Sequence, residues 1–202
     1  MDQAIYQKKH RMIWNLPNIL TYGRILAIPL FVTCFYFSGE LPRFIALGLF
    51  ITASVTDFLD GYLARAWSQQ SKLGQMLDPI ADKLLVGAAL IMLVFDDTIF
   101  GLSVIAAVII LSREILVSGL REFLAQLSVS VPVTRIAKFK TAAQLGAIVA
   151  LLLAPLIDKN ATYTWVIGDS LLWIAAILTI YTGFDYLRVG IKHLIEEDLK
   201  DE

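Results

Sequence analysis

The feature that most constrains this chain is a series of six long apolar stretches divided by short polar ones. They are Asn18–Ser38, Pro42–Ala64, Pro79–Phe95, Ile99–Leu120, Ile136–Leu156 and Thr164–Val189. About 20 mostly apolar residues in an α-helix cross the roughly 30 Å hydrocarbon core of a bilayer. Five stretches reach that length, and the third is short at 17 residues. The pattern predicts an all-α integral membrane protein with six transmembrane helices, read as one domain over residues 1–202. Composition agrees, with 57% hydrophobic and 17% charged residues, against about a quarter charged in a soluble domain.

The connections set an orientation. Those at Gly39–Leu41, Asp96–Thr98 and Ile157–Tyr163 carry, of the 17 Lys and Arg, only Arg43 at a boundary and Lys159. The other 15 (17 − 2) lie on the opposite side or in spans near it, including the connections Arg65–Asp78 and Arg121–Arg135. Excess Lys and Arg mark cytoplasmic loops, which places both termini in the cytoplasm. Trp14 and Trp67 fall at the cytoplasmic boundary and Trp165 at the other. Residues 1–15 mix Ile5, Met12, Ile13 and Trp14 with basic residues, as an interfacial amphipathic helix or a solvated tail would. The apolar run that follows is too long for the core of a cleavable signal. A net charge of −1 gives no global field for nucleic acid. The single cysteine, Cys34, excludes an internal disulfide and a cysteine-based zinc site.

The chemistry concentrates in Thr56–Lys83, TDFLDGYLARAWSQQSKLGQMLDPIADK. Asp57 and Asp60 are three apart, and Asp78 and Asp82 four apart, so on helices each pair shares a face. One pair ends the second span and the other begins the third, at the cytoplasmic side of neighbouring antiparallel helices. Four carboxylates gathered at a membrane boundary repel one another unless cations neutralise them. Hard divalent ions with oxygen ligands, Mg²⁺ or Mn²⁺, suit such a set. Two metals can clamp the attacking and leaving oxygens of a phosphoryl displacement. Gly61, Ala64 and Gly74 leave the nearby backbone open to a flat ligand such as a nucleotide. Arg65 suits bidentate phosphate binding. Pro79 fits the first turn of a helix with Asp78 as its N-cap, which is the plain structural reading of Asp78.

These positions resemble the signature of the CDP-alcohol phosphotransferase family, D-x2-D-G-x2-A-R-x8-G-x3-D-x3-D. Asp57, Asp60, Gly61, Ala64, Arg65, Gly74, Asp78 and Asp82 meet every spacing across 26 residues. NLPNILTYGRILAIP, SREILVSGLREFLA at Ser112–Ala125 and KFKTAAQ at Lys138–Gln144 resemble the bacterial branch that uses glycerol 3-phosphate. Ala137 stands where that branch has glycine before the first lysine of its G-K-x-K-T element.

The resemblance implies six helices, a homodimer and a site of two divalent metals per subunit at the cytoplasmic face of a bacterial cytoplasmic membrane. It implies phosphatidyl transfer from CDP-diacylglycerol to glycerol 3-phosphate by direct displacement. Asp57, Asp60 and Asp78 are then metal ligands. Asp82 is shared between ligation and catalysis, as acceptor of the hydroxyl proton. Gly61, Ala64, Arg65 and Gly74 contact the CDP group, with Asn18, Thr21 and Arg24 of the first helix completing that pocket. Helix capping and hydroxyl back-bonding are the plain reading of Asn18 and Thr21. The dianionic acceptor calls for Arg113, Arg121, Lys138 and Lys140, although membrane anchoring accounts equally well for Arg121 and better for Lys140. Glu114, beside Arg113, is expected to pair with another helix.

Other acceptors within the family are serine, an inositol phosphate or phosphatidylglycerol. Outside it, buried acids on six spans fit a divalent-cation transporter. A transport path spreads ionisable groups over several depths, whereas these acids cluster on one side.

Overall fold

The computed structural model of the chain describes residues 16–66, 72–126, 135–157 and 162–198. The interfacial segment expected at residues 1–15 and Trp67 lie outside them. Six helices make up the described residues: α1 (Leu16–Cys34), α2 (Glu40–Ala66), α3 (Lys72–Phe95), α4 (Ser103–Gln126), α5 (Arg135–Ile157) and α6 (Thr162–Asp198). No strand is present among them.

Among the described residues, three stretches are long and apolar enough to cross a membrane: Ser103–Ala125, Ile136–Ile157 and Thr162–Arg188. Asn18–Cys34 in α1 is a shorter apolar helix. Large apolar side chains face outward as well as inward, and several polar ones are buried. Ile115, Ile177 and Phe184 are more than 60% exposed, while Lys140, Gln144, Thr179 and Thr182 are buried. Large contiguous apolar surface is stable against lipid, and the buried polar groups lie inside the helix bundle.

Helix ends depart from the apolar runs where the backbone demands it. After Cys34, the amides of Phe35 and Tyr36 bond back to the carbonyls of Val32 and Thr33, each at 3.1 Å. That tightened turn and Gly39 at φ +117° end the first stretch before Ser38. Asp97 and Gly101, at φ +57° and +58°, turn the chain so that α4 begins at Ser103 and not Ile99. The largest extension at a helix start is α3, which begins at Lys72 and takes seven residues from the expected connection. Pro79 is therefore inside the helix, and Asp78 is not a helix cap.

The chain forms two compact units, one up to Met92 and one from Leu93, the boundary falling in the last turn of α3. In the first, α1 packs on α2. Phe31 is fully buried, with its ring 6.3 Å from that of Phe50 and 5.2 Å from that of Phe35. In the second, α6 packs on both α4 and α5. Gly168 makes this approach possible: a Cβ there would lie 2.8 Å from Leu151 Cγ and 3.1 Å from the Leu151 amide nitrogen. Close backbone approach at small residues is the usual device of helix packing in lipid. At the turn between α3 and α4, the Trp165 indole donates to the Thr98 carbonyl at 2.7 Å and stacks on Phe100.

Candidate active site

In the first unit, α2 continues unbroken to Ala66 and α3 begins at Lys72. Asp57 and Asp60 are thus about one helical turn apart, as are Asp78 and Asp82. The new element is α1. Thr21 and Arg24, three apart, face the same way. Thr21 donates from Oγ1 to Asp78 Oδ1 at 2.6 Å, and Arg24 donates from Nη1 to Asp57 Oδ1 at 2.5 Å. Both donors are buried, Arg24 to 2% exposure. One face of α1 therefore holds a carboxylate from each of the two following helices. Asp57 also feels the negative charge of Asp78 and the positive charge of Lys83.

The two carboxylates each have a second oxygen that bonds no other described residue, and the donor chemistry is hard oxygen, which fits a divalent ion. Among the described residues, no three acidic, histidine or cysteine side chains come together to hold a metal. The structure brings Asp57 and Asp78 within electrostatic reach through α1; Asp82 is part-buried one turn further along α3. Asp60, Gly61, Ala64 and Arg65 ride on the helical backbone of α2, and their side chains lie outside the described residues. Asn18 and Gly74 are buried. Alongside lies an apolar cleft of about 460 Å³ between α1 and α2, with Arg24 and Thr56 among its walls.

The second unit contains a polar cluster on α4, α5 and α6. Lys140, 5% exposed, is ion-paired with Glu114, which also lies 3.6 Å from Arg113 Nη1. The expected partner of Glu114 on another helix is thus Lys140. Arg113 donates from Nη2 to Thr182 Oγ1 at 3.0 Å, and Arg121 donates from Nη2 to the Tyr186 hydroxyl at 3.0 Å. The Arg121 guanidinium also lies 5.3 Å from the Tyr186 ring centroid. Lys138 is exposed. Thr141 bonds back to the Ala137 carbonyl of its own helix.

Residues 14–181 match the CDP-alcohol phosphatidyltransferase family. The chain belongs to that family. Relatives named CDP-diacylglycerol–glycerol-3-phosphate 3-phosphatidyltransferase include that of Rickettsia felis, 47% identical over 89% of this chain and 97% of its own length. The protein of that name from Haemophilus influenzae is 42% identical over 92% of this chain and 98% of its own. In Cereibacter sphaeroides it is 39% identical over 92% of this chain and its own full length.

Within this CDP-alcohol phosphatidyltransferase, sequence spacing located the acidic and basic residues but not the groups that hold them. Thr182 and Tyr186 were missed, and both lie beyond the end of the family match. Their signal was present: Thr179, Thr182 and Tyr186 recur at helical spacing through an apolar stretch, and all three are buried.

Proposed function

We propose that this CDP-alcohol phosphatidyltransferase transfers the phosphatidyl group of CDP-diacylglycerol to sn-glycerol 3-phosphate, giving phosphatidylglycerophosphate and CMP. The observation that carries this reading is the grip of one α1 face on Asp57 and Asp78, in a chain whose near-full-length relatives bear that activity's name. A buried arginine and threonine committed to two carboxylates fix one oxygen of each and leave the other for a ligand.

The acceptor hydroxyl gives its proton to Asp82 and forms a bond to the phosphorus that carries diacylglycerol. The bond from that phosphorus to the oxygen shared with CMP breaks, and CMP leaves with the electron pair. A base working in this way accounts for about 10²–10⁴-fold in rate. Asp57, Asp60, Asp78 and Asp82 would hold two divalent ions, Mg²⁺ or Mn²⁺. When bound, they supply positive charge that offsets the pyrophosphate and the carboxylates. Gly61, Ala64, Arg65 and Gly74 receive the CDP group with Asn18. Thr21 and Arg24 orient the carboxylates of Asp78 and Asp57 and, on the same face of α1, complete the nucleotide pocket. Arg113, Arg121 and Lys138 bind the acceptor phosphate, with Lys140 charge-balanced by Glu114.

The same reading makes the chain one membrane domain with six spans and both termini cytoplasmic, a homodimer in a bacterial cytoplasmic membrane. The test is CMP release by purified protein from CDP-diacylglycerol with glycerol 3-phosphate, serine, inositol phosphate or phosphatidylglycerol in turn. Release with glycerol 3-phosphate is expected; release with serine alone overturns the assignment of acceptor.

A further inference from the structure

Arg113 and Arg121 are eight residues apart on α4, about 2.2 turns, so their side chains leave the helix within one broad face. Each is met there by a buried hydroxyl of α6: Thr182 for Arg113 and Tyr186 for Arg121, both at 3.0 Å. Thr182 and Tyr186 are four apart, again one face. Thr182 Oγ1 in turn donates to the Leu178 carbonyl at 2.8 Å, which leaves its lone pair directed at the guanidinium. Between them Gly183 brings the α6 backbone against the Arg113 stem, where a Cβ would lie 3.0 Å from Cγ. The next residue of α4, Glu114, takes Lys140 of α5 as its partner and lies 3.6 Å from Arg113 Nη1. Long arginine side chains lose much rotamer freedom when a ligand orders them. A guanidinium already seated by a neutral hydroxyl is ordered beforehand without surrendering charge to that partner, and the one carboxylate beside Arg113, Glu114, is shared with Lys140.

We propose that Thr182 and Tyr186 are positioning residues that aim Arg113 and Arg121 at the phosphate of the acceptor. This rests on the functional reading above and extends it to the last helix, beyond the residues that match the family. A hydroxyl suits an arginine that must hold a dianion. A carboxylate at either place would neutralise the guanidinium and weaken that hold, whereas a hydroxyl orders it without the loss. Removal of either hydroxyl therefore weakens acceptor binding and leaves the CDP-lipid step alone.

Thr182→Val and Tyr186→Phe keep shape and, in the second case, the aromatic face under Arg121. Turnover is measured in mixed micelles against glycerol 3-phosphate at saturating CDP-diacylglycerol, and against CDP-diacylglycerol at saturating glycerol 3-phosphate. Each variant is expected to raise the acceptor KM about 5- to 20-fold, near the low end of the roughly 10- to 150-fold for losing a hydrogen bond to a charged group, because the arginine itself stays in place. kcat, the KM for CDP-diacylglycerol and the thermal midpoint stay within about twofold or a few degrees of wild type, and Thr182→Ser restores the acceptor KM. An unchanged acceptor KM in both valine and phenylalanine variants overturns the assignment while glycerol 3-phosphate turnover stands. Equal losses in both KM values with a lowered midpoint overturn it in favour of plain packing. A wild-type protein that turns over only a non-phosphorylated acceptor overturns the functional reading itself, and the assignment with it.

Discussion

Arg24 is the residue to which the structure adds most. Its place in the first helix pointed to a nucleotide pocket, and the structure adds a partner: its guanidinium donates to Asp57, 33 positions later in the chain. No spacing rule reaches that far, because the contact depends on how α1 and α2 pack. The carboxylate pairs were legible, since three- and four-residue spacing follows from helical geometry alone. Their partners were not. Arg24→Gln leaves Asp57 without its cation in a low-dielectric setting. Breaking a fully buried pair costs about 3–5 kcal/mol; with Asp57 partly exposed, a loss of about 1–3 kcal/mol is expected in thermal or denaturant unfolding in detergent. Asp82→Asn is expected to behave differently. It removes the proposed proton acceptor, which is also one of the proposed metal ligands, so turnover falls at least about 10²–10⁴-fold while the thermal midpoint, read in detergent, stays near wild type.

At the scale of elements, apolar runs marked each of the six described helices but misjudged several of their ends, α3 alone stopping at the expected Phe95. A membrane span and a helix are different objects: α3 extends seven residues before its apolar stretch, and α6 runs to Asp198. Pro79 illustrates the reason. Read locally it signals a helix start, yet the preceding turn forms and tolerates the missing donor. The glycines that govern packing were equally opaque, because a small residue shows its purpose only once its neighbour is known. Gly168 is the clearest instance. Gly168→Ala puts a methyl 2.8 Å from Leu151 Cγ, and overpacking of that kind costs about 1–3 kcal/mol. The expected result is a thermal midpoint lowered by several degrees, with specific activity of the remaining folded protein preserved, since Gly168 touches neither polar cluster.

For the whole molecule, the outward apolar side chains and buried polar ones follow from a lipid solvent, and this was the most legible property of the sequence. The division of chemistry was legible too: the four signature aspartates on α2 and α3, the candidate phosphate-binding bases on α4 and α5. What sequence could not supply was the bracing of those groups by α1 and α6, whose contacts depend on how helices distant in the chain pack. If divalent ions sit among the aspartates, chelation by EDTA is expected to abolish CMP release, and added Mg²⁺ or Mn²⁺ to restore it. Activity that persists after exhaustive chelation would make the metals dispensable while leaving the acceptor question open.

Phosphatidyl transfer to glycerol 3-phosphate is tested most directly by following the acceptor into lipid. Purified protein in liposomes containing CDP-diacylglycerol is given radiolabelled glycerol 3-phosphate, and both solvent-extractable label and free CMP are measured. Label is expected to enter phosphatidylglycerophosphate in one-to-one ratio with CMP. CMP formed without label in lipid, or no reaction in a folded protein supplied with divalent ions, would contradict the assignment.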